Sequence, residues 1–246
     1  DSGGRIRVVR SHSEYVAARA EGAHACIPAI QGGNALEAAP ELAASIPDDL
    51  ITRVTLVHLT NSGFGTTSSP GAMFRAGEGL TARGKELVES LNARRVLVDL
   101  AHINPQGFWD AVDVHDGSAP LIVTHTGVDG VKPHWRNLDD DQLKTIADSG
   151  GTIGVMFHQG FLKRRKGPRG LEMIMEHLDH IIACVGEDFA SLGSDYDGAI
   201  TPPRGCRDGL VYPRLTEAML KRGWSVERIE KVLGTNALRV FKAIRP

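Results

Sequence analysis

Six short apolar runs, with polar residues at or just after their ends, constrain this chain more than any other feature. They are 25–30, ending at Gln31-Gly32-Gly33; 54–59, which contains His58; 95–100, followed by Ala101-His102; 121–124, followed by His125; 152–157; and 190–192, followed by Gly193-Ser194-Asp195. Most are rich in Val, Ile and Leu without clean alternation. That pattern suits parallel strands buried on both faces.

Helical patterns lie between the runs. Segment 82–93 carries Leu87, Val88 and Leu91 behind a capping Thr81. Segment 143–147 follows Asp139 and Asp140, either of which suits an N-cap, and stops at Gly150-Gly151. Segment 171–185 bears a stripe of Leu171, Ile174, Leu178 and Ile181. Ser225 suits a cap, with Trp224 and Ile229 as its hydrophobic staple, and a last helix is expected over 236–244. Strand and helix in alternation imply a parallel sheet with covering helices. An open doubly wound sheet competes with a closed barrel, but no Gly-x-Gly-x-x-Gly follows a strand and no P-loop is present. A (β/α)8 barrel usually takes about 250 residues with all eight units. Six strands and an abrupt first residue predict one barrel domain over 1–246 whose two N-terminal strands are absent from the chain.

Composition narrows the function classes. A formal net charge of -2 implies no nucleic-acid or other polyanion partner. No run of about 20 apolar residues provides a transmembrane span. Cys26, Cys184 and Cys206 make no disulfide framework, which is consistent with a reducing, cytoplasmic compartment. The start Asp-Ser-Gly-Gly-Arg is not a signal peptide, and is compatible with a signal removed upstream of residue 1.

Ligands in parallel α/β folds sit at the carboxyl ends of the strands. His58, His102, His125 and Asp195 fall there, with Gln31 at a fifth strand end. Imidazole and carboxylate are the groups that bind zinc, so the set reads as a catalytic or metal-binding cluster. Taken singly, a histidine after a strand is more often a hydrogen-bonded structural residue than a ligand. Arg136, in His134-Trp135-Arg136-Asn137, has the planar fork to clamp a substrate carboxylate; pairing with Asp139 or Asp140 at the surface is the competing account. Asp197 reads as solvated or structural, and the basic run 163–166 as a solvated loop. His177 and His180, three apart on a helical stretch, read as packing or surface residues, and Cys184 as core.

Six segments in this order carry a family resemblance: VTLVHLTN, LTARGKELVESLNARRVLVDLAH, APLIVTHT, HWRNLDDDQL, GSDYDG and RGWSVERIEKVLGTNALRVF. With them the chain resembles the membrane dipeptidase (renal dipeptidase) family of zinc peptidases from about Ala25 to its C-terminus. The resemblance implies a (β/α)8 amidohydrolase-type barrel with two zinc ions, a dipeptide substrate and a homodimer. It matches His102 and His125 to the two histidines of one zinc, and Asp195 to the proton acceptor for the attacking water. It matches His58 to the histidine that stabilises the carbonyl oxygen, and Arg136 to the arginine that holds the substrate carboxylate.

Three positions depart from the family. The first-strand His-x-Asp pair is absent. Gln31 stands at the bridging glutamate of a Glu-Gly-Gly motif, and a neutral amide supplies no anionic oxygen to bridge two cations. His158 stands where the family often carries an aromatic residue near the substrate pocket. The expectation is a zinc-dependent dipeptidase using a metal-activated water. The alternative is a divergent relative of weak or no activity that binds a small amide-bearing ligand, which Gln31 favours.

Overall fold

In a computed structural model, residues 2–70 and 78–246 are described. They form two compact units, residues 1–122 with 238–246, and residues 123–237.

The first unit opens with β1 (Ile6–Val8), α1 (His12–Ala20) and β2 (His24–Cys26). Strands β1 and β2 pair in parallel, Ile6 opposite His24, so the segment is a βαβ crossover. Then come β3 (Ile30–Gln31), three single 3-10 turns, β4 (Arg53–Thr55), α2 (Ala82–Ala93), β5 (Leu97–Asp99) and α3 (Pro105–Val114). The sheet order is β3-β4-β5, again parallel, with Ile30 opposite Val54 and Val54 opposite Val98. Helix α2 forms where the sequence predicts it, with the Thr81 side chain accepting from Gly84 N–H. Its buried face is Gly84, Leu87, Val88 and Leu91, the spacing of one helical stripe. Helix α3 is capped by Asn104, with Pro105 at its first turn, where a missing N–H costs nothing.

The second unit holds β6 (Val123–Thr126), α4 (Asp140–Asp148), β7 (Ile153–Val155), a single turn α5 (Gln159–Leu162), α6 (Glu172–Val185) and β8 (Ala190–Leu192). Strand order is β6-β7-β8, all parallel. Asp139 caps α4 in a capping box with Gln142. After β8 come α7 (Val211–Lys221), α8 (Val226–Glu230, capped by Ser225), a π turn over Lys231–Thr235, and α9 (Asn236–Ile244). Most of α9 belongs to the first unit. Its Val240, Phe241 and Ile244 share a buried cluster with Leu97 and Ile122.

Two strand readings need correction. The expected run 25–30 is two strands, His24–Cys26 and Ile30–Gln31, separated by Pro28, which has no N–H to continue a ladder. Ile6–Val8, not expected as a strand, gives β2 its partner. The described residues therefore hold eight strands, not six, and every pairing between them is parallel.

Candidate active site

The first unit brings three of the expected residues together. Gln31 ends β3, and the chain then turns through two glycines. Gly32 has φ +111°, outside the range L side chains adopt readily, and a Cβ on Gly33 would lie 2.5 Å from the Leu56 carbonyl. The glycines thus let this turn lie against the end of β4, where Gly33 N–H bonds the Leu56 carbonyl at 3.2 Å. Gln31 Nε2 consequently lies 3.2 Å from His58 Nε2. The His58 ring meets the His102 ring edge-on, with centroids 4.6 Å apart. His102 is 8% exposed and has a left-handed φ of +68°, an uncommon conformation for a residue with a side chain. Thr67 holds this backbone, its hydroxyl bonding the carbonyls of both His58 and His102, while Ser68 N–H donates to His102 O at 2.7 Å.

Below these residues lies a buried ion pair that the sequence did not single out. Asp99, fully buried in β5, accepts from Arg53 Nη1 and Thr55 Oγ1, each at 2.6 Å, and from Ala101 N–H at 3.1 Å. A lone carboxylate inside an apolar strand was the available signal. With these bonds made, the charge of the buried carboxylate is compensated, and removing Arg53, whose own side chain is partly exposed, would take its cation away.

The second unit carries the remaining four. His125 lies inside β6 rather than just after it, is 4% exposed, and has Nδ1 2.9 Å from Thr124 Oγ1. If that nitrogen carries the ring proton, Nε2 bears the lone pair suited to a metal. Arg136 is also 4% exposed; its Nη2 donates to the His125 carbonyl at 2.8 Å, and its own carbonyl accepts from Thr126 Oγ1. The competing carboxylates are engaged elsewhere, Asp139 by Gln142 N–H and Asp140 by His180. Asp195 follows β8 with φ +57°, and Asp197 and Ala199 are left-handed as well. Such clustering of sparsely populated backbone conformations is characteristic of functional loops. Tyr196 ties the loop down, its hydroxyl bonding the carbonyls of Cys206 and Asp208 at 2.9 Å, and burial pushes its pKa up to about 12. A Cβ on Gly193 would lie 1.8 Å from the Thr124 carbonyl, so only glycine lets β8 leave the sheet this close to β6.

His158 follows β7 and accepts from Thr201 N–H through Nδ1 at 2.8 Å. Burial, then Lys132, holds its pKa below the ordinary value. His134 is pushed down to about 4, first by burial and then by Lys132, His158 and Arg136. His177, by contrast, is a packing residue, fully buried, with Nδ1 accepting from Val128 N–H and Nε2 facing the Leu162 carbonyl.

The donor chemistry can be weighed against a metal centre. The chain offers two imidazoles and an amide, and no group of three or more His, Cys, Asp or Glu able to hold a metal occurs among the described residues. Imidazoles are zinc donors, whereas the neutral Gln31 amide does not fit a bridged pair of ions, which calls for an anionic bridge.

Comparison with known proteins identifies the family. The membrane dipeptidase family, peptidase family M19, matches residues 3–246. An uncharacterized Klebsiella pneumoniae protein from the pqqA 5′ region is 34% identical, over 99% of this chain and 90% of its own length. Dipeptidase tcpJ of Claviceps purpurea is 31% identical over 78% of this chain, which spans only 44% of that relative. A metallo peptidase from Rhodobacter sphaeroides, solved with a phosphinate mimic of the dipeptide L-Ala-D-Ala, superposes with a TM-score of 0.84 and 31% identity, over 98% of this chain and 69% of its own. The chain therefore belongs to the membrane dipeptidase family, metal-dependent hydrolases of dipeptides whose amidohydrolase-type α/β fold it shares.

Proposed function

We propose that this protein hydrolyses the peptide bond of dipeptides with a free C-terminal carboxylate, using zinc. The observation that carries the reading is Arg136. A guanidinium 4% exposed and tied to the carbonyl of His125 places a fixed planar cation beside a strand-end histidine. Such a fork matches a carboxylate bidentately. His102 and His125 are the imidazole donors for zinc, which when bound supplies Lewis-acid polarisation and a water of lowered pKa. In this reading His58 donates to the carbonyl oxygen as negative charge develops there. Asp195 accepts the proton of the attacking water and delivers it to the leaving amine. His158 lines the pocket for the substrate. The assembly is a homodimer, which sedimentation would test, and the three unpaired thiols suit a cytoplasmic location.

Arg136→Lys tests the assignment. The ammonium keeps the charge and loses the fork, so KM should rise roughly 10-fold for a free-carboxylate dipeptide, and much less for its C-terminal amide. Equal effects on the two substrates would remove Arg136 from this role.

A second reading is favoured by the Gln31–His58 contact at 3.2 Å. There Gln31 keeps its amide to bond an amide-bearing ligand, and hydrolysis is slow or absent. Hydrolysis that persists in the unmodified protein argues against it.

A further inference from the structure

Four rings meet at one edge of the second unit's sheet. Ring centroids are 4.8 Å apart for His134 and Trp135, 4.6 Å for His134 and Phe161, 5.5 Å for Trp135 and Phe161, and 4.5 Å for His158 and Phe161. His134 and Trp135 lie on the loop after β6, and His158 and Phe161 follow β7. These loops leave the carboxyl ends of neighbouring parallel strands, so the rings share a sheet edge with His125 and Arg136. The cluster is not sealed as a core would be. Trp135 is 42% exposed, and His134, Phe161 and His158 are half-buried.

The cluster is also fixed and uncharged at neutral pH. His134 Nδ1 accepts from Arg136 N–H at 3.2 Å, and His158 Nδ1 from Thr201 N–H at 2.8 Å. Each ring nitrogen so engaged is unprotonated, and burial holds both pKa values down. Lys132 bonds the Gly160 carbonyl, closing one loop against the other. Neutral, oriented rings with one open side make a surface for another ring, which stacks or meets them edge-on.

We propose that this cluster receives the side chain of the C-terminal residue of the dipeptide and selects aromatic side chains there. The inference rests on the dipeptidase reading and on Arg136 as the carboxylate holder. Side chain and carboxylate branch from one Cα, so a carboxylate held at Arg136 brings the neighbouring side chain within reach of the loop that carries His134 and Trp135.

The test compares Ala-Phe with Ala-Ala, in both configurations of the second residue, on the zinc-supplied protein. kcat/KM should favour Ala-Phe on the order of 10-fold or more in the configuration that is cleaved. Trp135→Ala and Phe161→Leu should each bring the ratio toward one. Binding gives an independent readout. A phosphinate analogue of Ala-Phe should shift the tryptophan emission of the unmodified protein, and that shift should vanish in Trp135→Phe, a variant that keeps a ring in place. Hydrolysis without an aromatic preference, or a preference that survives both substitutions in folded protein, overturns the selectivity alone. A folded, zinc-supplied protein that neither hydrolyses any dipeptide nor binds the phosphinate overturns the dipeptidase reading as well.

Discussion

Gln31 shows how one atom changes a site. Its amide nitrogen lies 3.2 Å from His58 Nε2, where the family resemblance calls for a carboxylate. A carboxylate would bring a negative charge and two acceptor oxygens, whereas the amide brings one acceptor and no charge. Two cations close together repel unless an anion lies between them, so the account expects at most one firmly held zinc per chain. In a protein that also carries the first-strand His-x-Asp pair, Gln31→Glu should raise zinc stoichiometry toward two, and the hydrolytic rate with it, as read by metal analysis of protein purified without chelator and supplied with zinc. Two tightly held ions in the unmodified protein would contradict this. Most of the residues involved were visible in the sequence, because His58, His102, His125, Asp195 and Gln31 each fall at or near the end of an apolar run. Thr67 was not. Its hydroxyl serves the carbonyls of His58 and His102 from a loop whose path no periodicity describes. The ring cluster was hidden for the same reason, since Phe161 and His134 are 27 positions apart and meet only because β6 and β7 are neighbours (161 minus 134).

At the scale of elements, His177 joins α6 to the loop after β6 and to the turn α5, accepting from Val128 N–H and facing the Leu162 carbonyl. The bond from Val128 N–H requires an unprotonated Nδ1 and so a neutral ring, and burial pushes its pKa down to about 4. A folded pKa below the unfolded value of about 6.5 means that the unfolded chain takes up the proton first as pH falls. The stabilisation is complete above about pH 6.5 and is lost progressively toward pH 4, amounting to as much as about 3 kcal/mol at 1.36 kcal/mol per pH unit. Urea unfolding at pH 7 and pH 5 should show this loss, and His177→Gln should show a shallower dependence. Equal slopes for the two proteins would assign the pH dependence to other groups. The sequence read the long elements well: 82–93 and 236–244 form as helices with those bounds, and 190–192 as a strand. It missed β1 because three residues, Ile6, Arg7 and Val8, are too few to show a period, and all three are exposed. Proline at position 28 broke a run that hydropathy alone treats as continuous.

For the whole molecule, the chain returns to its first unit at the end. Phe241, 4% exposed, packs in the cluster with Leu97, Ile122, Val240 and Ile244, and Arg95 bonds the carbonyls of Ala243 and Ile244. Sequence separation of more than 140 residues is thereby closed by one helix (241 minus 97). Phe241→Ala removes a ring from a packed site and should cost about 3–5 kcal/mol, read as a lowered Tm or urea midpoint. A change below 1 kcal/mol would show that the C-terminal helix is dispensable to the first unit's core. The central claim, that these strand-end residues form the working site of a dipeptidase, is tested most directly by one measurement: release of free amino acid from an unblocked dipeptide by the zinc-supplied protein beside its Asp195→Asn variant. The account predicts hydrolysis that chelation of the metal stops and that Asp195→Asn lowers by at least about 100-fold, the range expected for loss of a proton-transfer group. A folded, zinc-supplied protein that releases no amino acid, or an Asp195→Asn variant as fast as the unmodified chain, would contradict it.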